Sequence, residues 1–175
     1  TDANGCLDSL SQTIPHVDGP SIQSINGTDP LCAGDANGSA QSLATGPAGP
    51  MAYQWDDLNL QTTAQASNLE AGQYNVIVTD TNGCTDTAQI TLNDPPVLQL
   101  SVQDGSVSCT SLCDGALLAT SSGGTGPHNY IWDDPLSQNG ANPSGLCPGP
   151  YLVIVTDQNN CTASATGEVI DTMDF

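Results

Sequence analysis

Apolar and polar residues alternate most clearly between Gly72 and Thr79, where Tyr74, Val76 and Val78 fall on one face of an extended chain. The same alternation returns in Tyr151, Val153 and Val155, 77 positions further on. A period of two is the signature of a half-buried strand, because successive side chains point to opposite sides of a sheet. Each stretch sits inside a longer repeated pattern, Leu69 to Cys84 and Leu146 to Cys161, whose last six residues also open the chain as Thr1 to Cys6. A recurrence at this spacing marks an array of small units. The Asn82-Gly83 pair that follows the first stretch is a hairpin signal, since both residues tolerate positive φ. Each unit therefore predicts a strand–turn–strand corner.

Further strands follow at short spacing, punctuated by Gly, Pro, Asn and Ser, which predicts an all-β sandwich. In the usual lettering, strand B covers 39–45 and 116–122, and strand C covers 53–55 and 130–132. Strand E covers roughly 63–68, F is the repeated stretch, and G covers 85–92 and 162–170. Strand A opens at Pro20 in one unit, and runs from Pro95 to about Val107 in the other. Tyr74 and Tyr151 begin strand F, where immunoglobulin-like (Ig-like) sandwiches carry a tyrosine corner, and Trp55 and Trp132 occupy the core position on strand C. No segment shows a helical apolar period. The expected architecture is a head-to-tail array of Ig-like sandwiches with a repeat of about 77 residues. Residues 1–18 form the closing turn and last strand of a preceding or neighbouring domain, 19–96 one repeat, and 97–175 the next.

Charge changes the picture of what such an array can meet. The chain has 19 Asp plus Glu and no Lys or Arg, a net charge of −19. Charged residues make up 11% of the sequence, against roughly 25% of mixed sign in ordinary domains. Nucleic acid and anionic membrane surfaces are thereby excluded as electrostatic partners, and trypsin-like proteases find nothing to cut. No apolar run is long enough to insert in a membrane. The seven cysteines, mostly at repeating positions, read as disulfides made outside the cytosol. The chain opens in mid-domain, without an initiator Met or signal peptide, and so reads as part of a larger exported protein.

Cys113 and Cys147 occur only in the second repeat, which pairs them with each other. Cys32 precedes strand B and Cys84 follows strand F, at opposite ends of one sandwich. An eight-residue strand spans roughly 25 Å, beyond the ~7 Å Cα separation a disulfide allows. The favoured pairing is between domains, Cys32 with Cys161, with Cys84 reaching the domain before it and Cys6 and Cys109 reaching further neighbours. The alternative is Cys32–Cys84 and Cys109–Cys161 within domains. Zinc ligation by Cys109, Cys113 and Cys147 is disfavoured in an oxidised chain.

Chemistry-bearing residues are sparse. Asp2, Asn4 and Asp8, and again Asp80, Asn82 and Asp86, resemble fragments of calcium loops, which makes calcium the one candidate cofactor. The competing and favoured reading is an ordinary F–G turn with Asp bonded to its own backbone. Trp55-Asp56-Asp57 and Trp132-Asp133-Asp134 pair carboxylates, read as a shared acidic loop rather than a glycosidase site. His16 and His128 read as exposed loop histidines. Asn26, Asn37 and Asn160 fit the N-glycosylation pattern. No nucleophile, base and oxyanion set is present, so no enzymatic activity is expected and no catalytic residue is assigned.

These residues resemble the SprB-type repeats of very large Bacteroidetes surface adhesins. The match runs through Cys32 to Ser39, Gly49-Pro50-x-x-Tyr53-x-Trp55, and Leu69 to Cys84, then through Cys109, Gly126-Pro127, Tyr130-x-Trp132 and Leu146 to Cys161. It departs at Asn160, where Gly is usual, and in the extra cysteines. The resemblance implies a secreted, cell-surface repeat in adhesion, gliding or fibre architecture, without catalysis. Ser9, Thr87 and Thr172 fit the Asp-Ser/Thr-apolar pattern of Bacteroidetes O-glycosylation. The expected function is that of a disulfide-stapled structural module of an extracellular fibre or adhesin, with strand complementation by residues 1–18 as a route to polymerisation. Its partners would be neighbouring repeats or subunits. The alternative is a carbohydrate-binding, calcium-dependent surface module whose partners are surface glycans.

Overall fold

The computed structural model describes residues 18–108 and 113–171, and among these there is no helix. The first repeat comprises β1 (Ser21–Thr28), β2 (Gly38–Thr45), β3 (Ala52–Trp55), β4 (Gln65–Leu69), β5 (Gly72–Thr79) and β6 (Thr85–Leu92). They form two antiparallel sheets, β1-β2-β4 and β3-β5-β6, which is the A-B-E and C-F-G division of an Ig-like sandwich. Val76 and Val78 face inward and are fully buried, while Ile77 between them points out. They pack with Trp55 and Leu92 against Ala40, Ala66 and Leu69 of the facing sheet.

The second repeat comprises β7 (Gln99–Gln103), β8 (Gly105–Ser106), β9 (Gly115–Ala116), β10 (Leu118–Ser122), β11 (Asn129–Trp132), β12 (Ser144–Leu146), β13 (Gly149–Thr156) and β14 (Thr162–Ile170). Its core gathers Trp132, Leu146, Val153 and Val169 against Val107, Leu117 and Ala119. The tyrosine corner is made in both repeats: Tyr74 Oη donates to Glu70 O (3.0 Å) and Tyr151 Oη to Cys147 O (2.9 Å). Each buried indole also finds an acceptor, Trp55 Nε1 at Thr63 O (2.9 Å) and Trp132 Nε1 at Gly140 O (3.0 Å). A buried N–H left unpaired would cost about 1–3 kcal/mol.

Two expectations need correction in the second repeat. Strand A does not run on to Val107 in one sheet. β7 pairs with β10, the chain crosses at Asp104, and β8 then pairs parallel to β14. Asp104 Oδ1 takes the Glu168 N–H (2.8 Å) at the crossing, and a Cβ on Gly105 would lie 2.0 Å from Ala116 O. Only glycine allows that approach. Strand B, expected as 116–122, is correspondingly broken at Leu117 into β9 and β10, with Leu117 N bonded to Pro143 O (3.2 Å) instead.

The F–G turn also differs from a two-residue Asn-Gly hairpin. Thr79 pairs with Thr85 and Thr156 with Thr162, leaving five residues in each loop. Only one residue in each adopts positive φ, Gly83 (84°) and Asn160 (66°). Asn160 thus fills the glycine position with a residue that tolerates the left-handed region.

Candidate functional site at the junction of the repeats

The feature that joins the two repeats is a disulfide between Cys32, in the loop after β1, and Cys161, at the end of the loop after β13. Its Cα–Cα distance is 5.6 Å and it closes 129 positions of sequence. Asn159 Nδ2 donates to Leu31 O (3.1 Å), and the same carbonyl oxygen lies 3.5 Å from Cys161 Sγ. The junction therefore reads the main chain of the incoming loop. Leu31 itself is half exposed. Beside the bond lies a cleft of about 330 Å³ bordered by Ala33, Asp35, Val97 and Leu98.

The loop carrying Cys161 is held by Asp157, which is 3% exposed. One carboxylate oxygen takes the N–H groups of Asn159 and Cys161 (both 2.8 Å), and the other takes that of Thr125 (2.8 Å). The Thr125 N–H holds this carboxyl below the usual carboxylate range; burial opposes it, while the Cys161 and Asn159 N–H groups and nearby His128 reinforce it. The first repeat builds the same turn, with Asp80 Oδ1 accepting from Asn82 N and Cys84 N (both 2.9 Å). Its other oxygen is buried and has no partner among the described residues. Cys84 has no disulfide partner among them either.

The second bond, Cys113–Cys147, lies within the second repeat. The within-domain alternative, Cys32–Cys84, is not formed. Cys6 and Cys109 lie outside the described residues.

Of the candidate calcium positions, Asp2, Asn4 and Asp8 lie outside the described residues. Asp86 serves a different element from Asp80: its Oδ2 takes Ile22 N and its Oδ1 takes Thr87 N (both 2.8 Å), tying the start of β1 to β6. Among the described residues no group of three or more His, Cys, Asp or Glu could hold a metal ion. Asn26, Asn37, Asn160 and Thr87 are exposed, although Asn37 bonds Leu31 N (2.8 Å) and Asp35 (3.2 Å). Ser9 and Thr172 lie outside the described residues.

The acidic loops after strand C are not open carboxylate pairs. Asp57 is 4% exposed and accepts from Asn59 N (3.1 Å), Gln61 N (2.9 Å) and Gln61 Nε2 (3.0 Å). Asp134, 3% exposed, repeats this with Leu136 N, Gln138 N and Gln138 Nε2. Burial pushes both carboxyls up, but these donors together outweigh it and leave both below the ordinary range. The carboxylates close a turn in which Leu60 and Ser137 take φ of 49° and 48°. Their role is to hold backbone that non-glycine residues resist.

His128 is not an exposed loop histidine. It is half buried, its Nδ1 lies 2.6 Å from Ser121 Oγ, and that hydroxyl also meets Tyr130 Oη at 2.6 Å. His128 Nε2 is buried without a partner among the described residues. Nothing in the sequence spacing marks this cluster, because its members come together only when strands B and C face each other.

Trp55 and Trp132 are each 1% exposed, so neither offers a surface platform for a sugar ring.

No protein-family model matches the chain, and no curated protein matches it. Among solved structures, DIP-gamma Ig1+Ig2 is similar at 15% identity and a TM-score of 0.40, covering 90% of this chain and 99% of that one. The eight N-terminal Ig domains of Down Syndrome Cell Adhesion Molecule are similar at 14% and 0.40, covering 88% of this chain and 25% of that one. The insect immune protein hemolin is similar at 14% and 0.39, with 93% and 49% covered. This chain thus spans half or less of the latter two. At these identities and scores none of them bears on what the chain binds.

Proposed function

We propose that this chain is a structural module of an extracellular cell-surface fibre or adhesin, built from Ig-like repeats stapled head to tail. The observation that carries the reading is the Cys32–Cys161 bond, which joins the loop before strand B of one repeat to the loop after strand F of the next. A bond so placed stabilises the array rather than either sandwich, and it uses positions that recur with the repeat. Disulfides of this kind belong to an oxidising compartment, which supports an extracellular location. The buried tryptophans and the absence of a metal-holding cluster among the described residues weigh against the carbohydrate-binding alternative. The reading assigns no catalysis and no cofactor, and it agrees with the resemblance to SprB-type repeats. Strand complementation by residues 1–18 remains part of the proposal as a route to polymerisation.

Electron microscopy of native material, with peptide mapping under non-reducing conditions, tests it. The expected result is a filament with a regular axial repeat of one sandwich and Cys32 linked to Cys161. Isolated particles with Cys32 linked to Cys84 would overturn it.

A further inference from the structure

We propose that the outer face of the C-F-G sheet in the second repeat is a lateral contact, at which two copies of this chain associate face to face. The contact concerns the sides of the array and not the junction, so it stands or falls separately from the fibre reading.

The face is an aliphatic patch that the fold does not require. Ile131 and Ile154 are paired across β11 and β13, and Leu152 follows on the same side of β13. These residues are 61%, 43% and 38% exposed, respectively. At the same register the first repeat has Gln54, Ile77 and Asn75. There the polar groups are engaged within the repeat: Gln54 Nε2 donates to Trp55 O (3.0 Å) and Leu60 O (3.2 Å), and Asn75 Nδ2 to Asp56 (2.7 Å). The same sandwich thus closes with amides outside. Adjoining aliphatic side chains left in water are instead the mark of a contact surface. Beside Ile131, at the edge of the sheet, the loop through Asn139 and Gly140 leaves a cleft of about 390 Å³. A ridge and a cleft side by side are what a self-complementary two-fold contact needs.

Charge says which partner fits. The chain carries −19 and has no Lys or Arg, so two copies cannot pair carboxylates with basic side chains. They can meet closely where carboxylates are absent. Over most of its height this face has none: its outward positions are Asn129 and Ile131 on β11, Leu152 and Ile154 on β13, and Thr162, Ser164 and Thr166 on β14. Asp133 and Glu168 stand at one end of it, Asp133 Oδ1 taking the Leu152 N–H (2.8 Å). Antiparallel stacking sets that end of one copy against the Thr162 end of the other and keeps the carboxylates apart. A basic partner would be drawn to the acidic loops and would gain nothing here, whereas an acidic partner such as a second copy is admitted. The first repeat's sheet offers amides that are already bonded, so covering it gains less.

The test is sedimentation equilibrium of the full chain over a range of concentrations and salt, with free thiols capped by iodoacetamide. The expected result is a mean mass that rises with concentration from 17.8 kDa toward twice that value. The dimer should tighten as salt is raised, because screening relieves the repulsion between the acidic loops. Ile131→Gln with Leu152→Asn gives the second repeat the residues of the first. It should weaken the dimer about tenfold or more while the unfolding transition stays in place. Ser164→Asp, at an exposed position in the middle of the face, should do the same by bringing carboxylates together. Ile77→Gln in the first repeat should leave the dimer unchanged. A mass that stays at the monomer value at every concentration and salt would overturn the proposal and leave the face to a different protein. So would a dimer that survives both second-repeat variants, one that loosens with salt, or one that Ile77→Gln dissolves. Peptide mapping of the same samples follows the Cys32–Cys161 bond. A dimer without that bond sinks the fibre reading alone, and a monomer with it sinks the lateral contact alone.

Discussion

The outer faces of the two C-F-G sheets are built on the same register and covered by different chemistry. In the first repeat Gln73 Nε2 donates to Gln89 Oε1 and Gln89 Nε2 to Asn75 Oδ1 (both 2.9 Å), and Asn75 Nδ2 continues to Asp56 (2.7 Å). In the second, Leu152 stands where Asn75 does, and Ile131, paired across the sheet with Ile154, stands where Gln54 does; all three aliphatic side chains are exposed. A similar exchange occurs between strands B and C, where Ser121 and His128 replace Ala44 and Met51. The inward positions, by contrast, are nearly interchangeable: Trp55 and Trp132, Val76 and Val153, Leu69 and Leu146 are all buried. The repeats share a core and the turns that frame it, while their surfaces vary freely because exposed substitutions cost little.

This comparison can be broken at its strongest point first. Trp55→Ala and Trp132→Ala should each cost about 3–5 kcal/mol, but in different sandwiches. Calorimetry should then show one transition displaced while the other stays, and a single merged transition in both variants would mean the repeats do not unfold separately.

Next in size is the staple. Cys32→Ser should cost about 2–4 kcal/mol, the usual range for a lost native disulfide, with both transitions affected. Cys113→Ser with Cys147→Ser should lower only that of the second repeat. Equal effects on both transitions from the two changes would contradict the assignment of one bond to the junction and the other to a sandwich.

The buried turn carboxylates come third. Asp57→Ala and Asp134→Ala each strand backbone donors and should cost on the order of 1–3 kcal/mol. Their folded pKa values lie below the ordinary 3.8, so the carboxylates stabilise the fold above that value. That stabilisation is lost as pH falls through the lowered folded values. Chemical unfolding at stepped pH should show stability falling below pH about 4, less steeply in Asp57→Asn with Asp134→Asn.

Smallest is the contrast between Asp157 and Asp80. Asp157→Asn sacrifices an oxygen bonded to Thr125 N, whereas Asp80→Asn can place its amide where an oxygen has no described partner. The first should lower the melting temperature of its repeat more than the second does, as read by thermal unfolding of the single variants.

Strands F and G were legible in the sequence because their signal is local: alternation in Gly72–Thr79 and Gly149–Thr156, bounded by turn residues, needs no knowledge of the rest of the fold. The tryptophans were legible for a related reason, being large apolar groups at a fixed offset from Tyr53 and Tyr130. The crossing at Asp104 and Gly105 was not, since it depends on how closely that backbone approaches Ala116 across the sandwich. Asp57 and Asp134 misled for want of the same information: a carboxylate pair reads as acidic surface until the donors that surround one member are in place. Asn159 at the junction carried only the faint signal that Asn4, Asn82 and Asn159 recur in the same turn.

The Cys32–Cys161 bond also decides how far the chain can be drawn out. Tension applied at the two ends enters through β1, crosses at Cys32 to Cys161, and leaves through β14. The chain between those cysteines, which are 129 positions apart in sequence, stands outside the load path, including most of both sandwiches. Fully extended, that length of chain would reach about 430–460 Å. It stays in reserve while the bond is intact, and a reductant releases it.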